Sequence, residues 1–412
     1  MQHPDYREIG KRFRHTCLWH DEEPLSFPEE GFDLYNLSYH SAHAHYLLGQ
    51  DAYDCPEHGL RFEGEATTQW PTDAVIENNI HFRYPLVCIR RPSAHVRRQE
   101  RVLLLLHGLN ERSFTKYIPW AYQIGRQTGS AVLLFPLTFH INRVFPDWGR
   151  TQRESFLRRK EIGGNENAHL FNAVISERLG DHPERFFWGA LQSYWDIVDL
   201  LRSIRTGHHP LIEPEARVDL FGFSAGGYVA LALLLADEEG IFRDGRGVLF
   251  ASCASVRDTN LSSRLIVDHM AEVSLMKLFV KYRDRLSTGR LKHWLDHHAE
   301  GRWFNCFCGL SPKRTLLDLR LRELAPRLLG ITNLNDQVMP PGAMLNALQG
   351  IRRDTGVCVE EFDLGIHENP FACHEYTMRD RTLITEFFDQ ERYGTVFEQF
   401  IGKIVNHLSK TG

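Results

Sequence analysis

Ser224, Asp336 and His367 are the residues whose types and setting point most directly to chemistry. Ser224 lies in Gly222-Phe223-Ser224-Ala225-Gly226-Gly227, a G-x-S-x-G match. A serine held on a sharp strand-to-helix turn can attack a carbonyl carbon. The turn crowds the positions two residues either side, so both must be small, and here both are glycine. The hydroxyl then sits at a helix N-terminus, where backbone N–H groups and the dipole favour a developing negative charge. The pentapeptide alone is a weak match, and a plain glycine-rich turn is the alternative. The context strengthens it: RVDLF before it has strand character and YVALALLLA after it has helix character. Asp336, in Asn335-Asp336-Gln337-Val338-Met339-Pro340, follows the apolar run RLLGIT, where a carboxylate can orient a histidine. Taken alone it also reads as a turn residue or a helix cap. His367, in Leu364-Gly365-Ile366-His367-Glu368-Asn369-Pro370, follows the last strand and can serve as general base. His374 is a rival, but it lacks that strand–glycine approach.

A nucleophile of this kind needs an oxyanion hole. His107-Gly108-Leu109-Asn110 ends the most apolar strand, and its glycine lets the chain turn with its amides pointing inward. The two donors are therefore assigned to the backbone N–H groups of Leu109 and Ala225. Candidate substrate contacts are Asn110, then His140, Asn142 and Arg143 on the loop after PLTF, and Trp294 and Trp303 in a later aromatic cluster.

Positioning these groups takes an α/β architecture. From about residue 100, short β-branched or leucine-rich runs alternate with helical patterns, the signature of a mainly parallel sheet flanked by helices. The predicted strands are Asn79–Arg90, Arg101–His107, Ser130–Phe135, Arg217–Phe221, Gly247–Ser252, Arg327–Thr332 and Val357–Phe362. The predicted helices are Thr115–Thr128, Phe187–Arg205, Ala225–Ala236, Pro341–Gly350 and Ile384–Leu408. Two insertions interrupt the alternation: Thr138–Arg185, which reads as loop, and Val256–Ala325, which reads as helical. The resulting division is an N-terminal extension (1–78), a core (79–255 and 326–412, with the loop insertion 138–185) and a helical cap over the serine (256–325). Residues 1–70 show no clean period.

Composition bounds the function classes. The chain has 412 residues, 42% hydrophobic and 25% charged, enough to bury a large core without disulfides or metals. A formal net charge of -5 gives no electrostatic ground for nucleic-acid binding. Met1–Glu22 has no apolar run of signal-peptide length and no run is long enough to span a bilayer. With eight cysteines that do not form a disulfide framework, this leads to the expectation of a cytoplasmic protein with reduced thiols. His40, His43 and His45, and the pair Cys306 and Cys308, lack recognisable zinc spacing, so no metal is assigned. The basic residues of the second insertion, among them Arg257, Lys277 and Arg290, read as a solvated face before they read as an anion site.

On HGLN, GFSAGG, NDQVMPP and GIHENP, in that order, the chain resembles the α/β-hydrolase superfamily over residues ~100–410. The resemblance implies an α/β-hydrolase fold and hydrolysis of a small-molecule ester through an acyl-serine intermediate, with no cofactor. It leaves an amidase or peptidase and an acyltransferase open on the same triad. A binding protein that kept the fold is the alternative from another class.

Overall fold

In the computed structural model, described residues are 24–410 except 66–69, 71, 91–97, 238, 265, 284–288, 308, 310–313, 351 and 364–389. The His367 and His374 readings, and the start of the Ile384–Leu408 helix, fall outside them.

The strands are β1 (Leu25–Phe27), β2 (Phe32–His40), β3 (Tyr53–Asp54), β4 (Arg61–Phe62), β5 (His81–Ile89), β6 (Gln99–Leu106), β7 (Ala131–Phe135), β8 (Ile212–Phe223), β9 (Gly247–Phe250), β10 (Leu328–Asn333) and β11 (Cys358–Phe362). Nine of them form one sheet in the order β1-β2-β5-β7-β6-β8-β9-β10-β11, while β3 and β4 form a separate hairpin. The strands from β7 to β11 in that order run parallel; β1, β2 and β5 are joined antiparallel at one side.

The unbroken apolar runs Val102–Leu106 of β6 and Ala131–Phe135 of β7 follow from burial on both faces. Val102, Leu104, Leu106, Leu133, Val218 and Leu220 point into one core. Their neighbours Leu103, Leu105, Val132, Leu134, Phe221 and Phe223 point into the other. The long helix α5 (Arg185–Arg205) and the wholly apolar α6 (Ala225–Leu235) cover the first face. The helices α2 (Ile118–Thr128) and α12 (Gln390–Leu408) cover the second. A single turn, α1 (Glu77–Ile80), leads into β5.

The structure departs from the sequence reading in two places. β2 belongs to the sheet, paired along its whole length with β5 from Phe32↔Ile89 to His40↔His81. Part of the supposed N-terminal extension is thus built into the core sheet. Its apolar alternation changes phase: Phe32 and Leu34 face one core, whereas Leu37 and Tyr39 face the other. The insertion 138–185 is not a plain loop but carries α3 (Trp148–Lys160) and α4 (Ala173–Asp181). α3 shows no apolar stripe because it is anchored by polar contacts. Arg159 pairs with Asp268, and Ser155 donates to Glu177 Oε2 at 2.5 Å.

The described residues of 256–325 carry α7 (His269–Arg283), α8 (Arg290–His297), α9 (Ala299–Phe307) and α10 (Arg314–Leu324). They lead into β10, and α11 (Pro341–Gln349) follows it. Among the described residues, no helix is long and apolar enough to cross a membrane.

Candidate functional site

The parallel strands deliver four of the predicted segments to one edge. His107–Asn110 follow β6, Thr138–Arg143 follow β7, Ser224 follows β8 and Asp336 follows β10, each at a C-terminal strand end. In open α/β sheets, ligands bind at this edge.

Ser224 is the turn residue between β8 and α6, with φ 50 and ψ -118. A non-glycine residue in this region carries strain of about 1–3 kcal/mol that the surroundings must hold. They do so by close packing. A Cβ on Gly222 would lie 2.5 Å from Gly227 Cα, and one on Gly226 would lie 2.5 Å from the Leu106 carbonyl carbon. Ser224 N–H donates to Phe250 O at 3.0 Å, and the Ser252 hydroxyl donates to Ser224 O at 2.5 Å.

His107 braces the neighbouring loop, a role the sequence reading did not give it. Its Nδ1–H donates to Gly108 O at 2.7 Å and its Nε2 accepts Leu137 N–H at 2.9 Å. Its own carbonyl accepts Gly226 N–H at 2.9 Å. The ring is fully buried, which holds its pKa well below the usual histidine value and keeps it neutral. Gly108 N–H is occupied by Tyr117 Oη at 2.9 Å. The amides of Leu109 and Ala225 make no hydrogen bond among the described residues.

Leu109 and Ala225 both line a cavity of about 90 Å³ together with Asn110, His140, Tyr228 and Phe304. Ser224 is not in its wall, but the adjacent Ala225 is. Asn110, at φ 61, donates from Nδ2 to Phe171 O at 2.6 Å. His140 donates from Nδ1 to Thr138 O at 2.8 Å, and its Nε2 has no partner among the described residues. Burial pushes this imidazole down to about 4, so at neutral pH the cavity wall holds an uncharged acceptor.

The same shift sets an acid sensitivity. The unfolded histidine titrates near 6.5 and the folded one near 4, so the unfolded chain takes up the proton first as pH falls. Stability contributed by His140 is therefore complete above about pH 6.5 and is lost progressively toward pH 4, by about 2 kcal/mol at pH 5. Urea unfolding at pH 7.5 and pH 5 should show this fall, and His140→Gln should reduce it.

The structure moves four predicted contacts away from the cavity. Asn142 turns back to the sheet and donates to Arg83 O at 2.8 Å. Arg143 is wholly buried, 2.8 Å from the equally buried Asp196, and also donates to Pro136 O and Asn79 O. Trp294 stacks on His298 at 3.6 Å and donates to Glu300 at 2.9 Å, while Trp303 packs half-buried against the core. From this insertion it is Phe304 that reaches the cavity. Arg143→Ala should thus cost about 3–5 kcal/mol in stability, because it strands the Asp196 carboxylate. Denaturant unfolding checks that loss, and KM of the remaining folded protein should be unchanged.

Asp336 is buried, and its Oδ1 accepts the N–H groups of Val338 and Met339 at 2.9 and 2.7 Å. Asn260 ties the same loop to the second insertion through Val338 O and Gln337 O.

No curated protein matches the chain. Among solved structures it is similar to the esterase Est22, with 12% identity, coverage of 93% of this chain and 80% of that one, and a TM-score of 0.46. It is likewise similar to a carboxyl esterase 2 from the mycorrhizal fungus Tuber melanosporum, with 12% identity, coverage of 99% and 100%, and a TM-score of 0.40. A thermostable esterase from Pseudomonas putida ECU1011 gives 12% identity, 99% coverage of both chains and a TM-score of 0.40. Residues 6–394 match the family described as a family of unknown function, DUF6051, and the chain belongs to that family.

Proposed function

We propose that the protein is a serine hydrolase of the α/β-hydrolase type that cleaves a carboxylic ester. Ser224 is the nucleophile, His367 the base and Asp336 the acid that orients it. The observation that carries this reading is the backbone of Ser224, held at φ 50 between β8 and α6 by glycines whose positions admit no Cβ. Such strain persists where a hydroxyl must be presented at a helix N-terminus. The amides of Leu109 and Ala225, which make no hydrogen bond among the described residues, support it further, because an oxyanion needs donors that nothing else occupies.

In this reading the Ser224 hydroxyl oxygen attacks the ester carbonyl carbon as its proton passes to His367. The carbonyl oxygen becomes an oxyanion stabilised by the Leu109 and Ala225 N–H groups. Collapse expels the alcohol, which takes the proton back from His367, and water then hydrolyses the acyl-serine by the same steps. Residues 256–325 act as the cap, with Phe304 in the cavity wall.

The cavity limits the acyl group. A volume of about 90 Å³ is below the roughly 150 Å³ of an apolar cavity that takes up benzene, and far below the several hundred Å³ of drug-sized sites. A series of p-nitrophenyl esters should therefore show the highest kcat/KM for acetyl to butyryl and a fall of about tenfold or more by octanoyl. An optimum at long chains, or no turnover of any ester, would contradict the assignment of this cavity as the acyl site.

A further inference from the structure

The hairpin of β3 and β4 turns through Cys55-Pro56-Glu57-His58-Gly59-Leu60. Cys55 N–H donates to Leu60 O at 2.8 Å, and Gly59 N–H donates to Cys55 O at 2.9 Å. The tight turn places His58 Nδ1 3.5 Å from Cys55 Sγ. Across from it, His298 Nε2 lies 3.4 Å from the same sulfur, though 243 residues away in sequence. The ring of His293 completes the group, its centroid 4.8 Å from that of His58 and 5.3 Å from that of His298. One donor atom from each of the four residues lies within 4.8 Å of all the others.

We propose that Cys55, His58, His293 and His298 bind a structural zinc ion that pins the 53–62 hairpin to the helical segment 269–324. A tetrahedral zinc with Zn–S near 2.3 Å and Zn–N near 2.0 Å sets sulfur and nitrogen about 3.6 Å apart and two nitrogens about 3.3 Å apart. Both sulfur–nitrogen distances, 3.5 and 3.4 Å, already lie within about 0.2 Å of that value. The widest separation has to close by roughly 1.5 Å, within the reach of a ring rotation. Four protein donors leave no open position for water, which marks a structural rather than a catalytic site. The surroundings fit as well. Glu57 Oε1 lies 3.3 Å from His298 Nδ1 without hydrogen-bond geometry, near enough to accept that N–H and orient the imidazole once the ring turns onto a metal. The Trp294 ring stacks flat on His298 and fixes its plane. Cys55 and His298 are each 1% exposed, and His293 Nε2 is buried with no hydrogen-bond partner among the described residues. A group of thiol and imidazoles packed for its own sake leaves that nitrogen unexplained. The sequence reading passed over the site because neither half, Cys55-x-x-His58 or His293-x4-His298, forms a zinc motif alone. The proposal stands independently of any role for Ser224.

The test uses the full-length chain without a histidine tag, offered zinc and passed through gel filtration over a chelating resin. Elemental analysis should find about one zinc per chain, and Cys55→Ser and the exposed-site variant His58→Ala should retain less than about a tenth of that. Cobalt substitution of the wild type should give intense tetrahedral visible bands and a thiolate charge-transfer band that Cys55→Ser lacks. Phenanthroline should lower the Tm of the wild type and leave that of His58→Ala unchanged. A wild-type chain that retains no zinc, or either variant retaining as much as wild type, overturns the proposal.

Discussion

Ser224→Ala is expected to reduce turnover of an activated ester by about 10⁶-fold, with the protein still folded. That is about 8 kcal/mol of transition-state stabilisation. The substitution removes one oxygen and keeps the Cβ, so the packing of the elbow is preserved. That packing is tight: a Cβ added to Gly108 would meet Ser224 Cβ at 3.4 Å and the Phe223 ring at 2.9 Å. Alanine shares the strained φ of serine, so the backbone strain also carries over. Single-turnover assays and a thermal melt on the same preparation check both halves. Residual wild-type turnover in a folded variant would remove Ser224 from the mechanism.

Asp336→Asn is expected to lower turnover by about 10⁴-fold with little change in stability. This substitution separates two readings of one residue. As a turn residue, Asp336 serves Val338 and Met339 through Oδ1, and an asparagine oxygen can accept the same two bonds. As the acid that orients a histidine, it needs its charge, because the amide cannot stabilise the imidazolium that forms during acyl transfer. A large loss of kcat at constant Tm supports the catalytic role. Unchanged kcat assigns the carboxylate to the turn alone.

The parts of this fold that could be read from the chain are those where burial writes a simple pattern. Val102–Leu106 is apolar at every position because both faces of β6 are covered, and the helix after Ser224 is apolar all round for the same reason. β2 was illegible because its alternation changes face between Leu34 and Leu37, so no single period runs through it. α3 was illegible because Arg159 and Ser155, not an apolar stripe, hold it in place. In the site, Ser224 and the loop from His107 were marked by glycines that the turn geometry requires. The bracing role of His107 carried no such mark, since one buried histidine looks like any of 22 in the sequence. Arg143 was misread for a related reason. A charged residue on a loop at the ligand-binding edge resembles a substrate contact until its buried partner, Asp196, arrives from α5. The four metal-binding candidates were hidden by distance along the chain, which only the tertiary fold removes.

The central claim is that Ser224 is an activated nucleophile, and covalent labelling tests it most directly. The intact protein is treated with a fluorophosphonate, digested, and the modified peptide is sequenced by mass spectrometry. The account predicts one phosphonyl adduct per chain, on the peptide containing Ser224, together with loss of ester turnover and no labelling of Ser224→Ala. An ester-cleaving preparation that stays unlabelled and active, or that carries its adduct on a different residue, would contradict it.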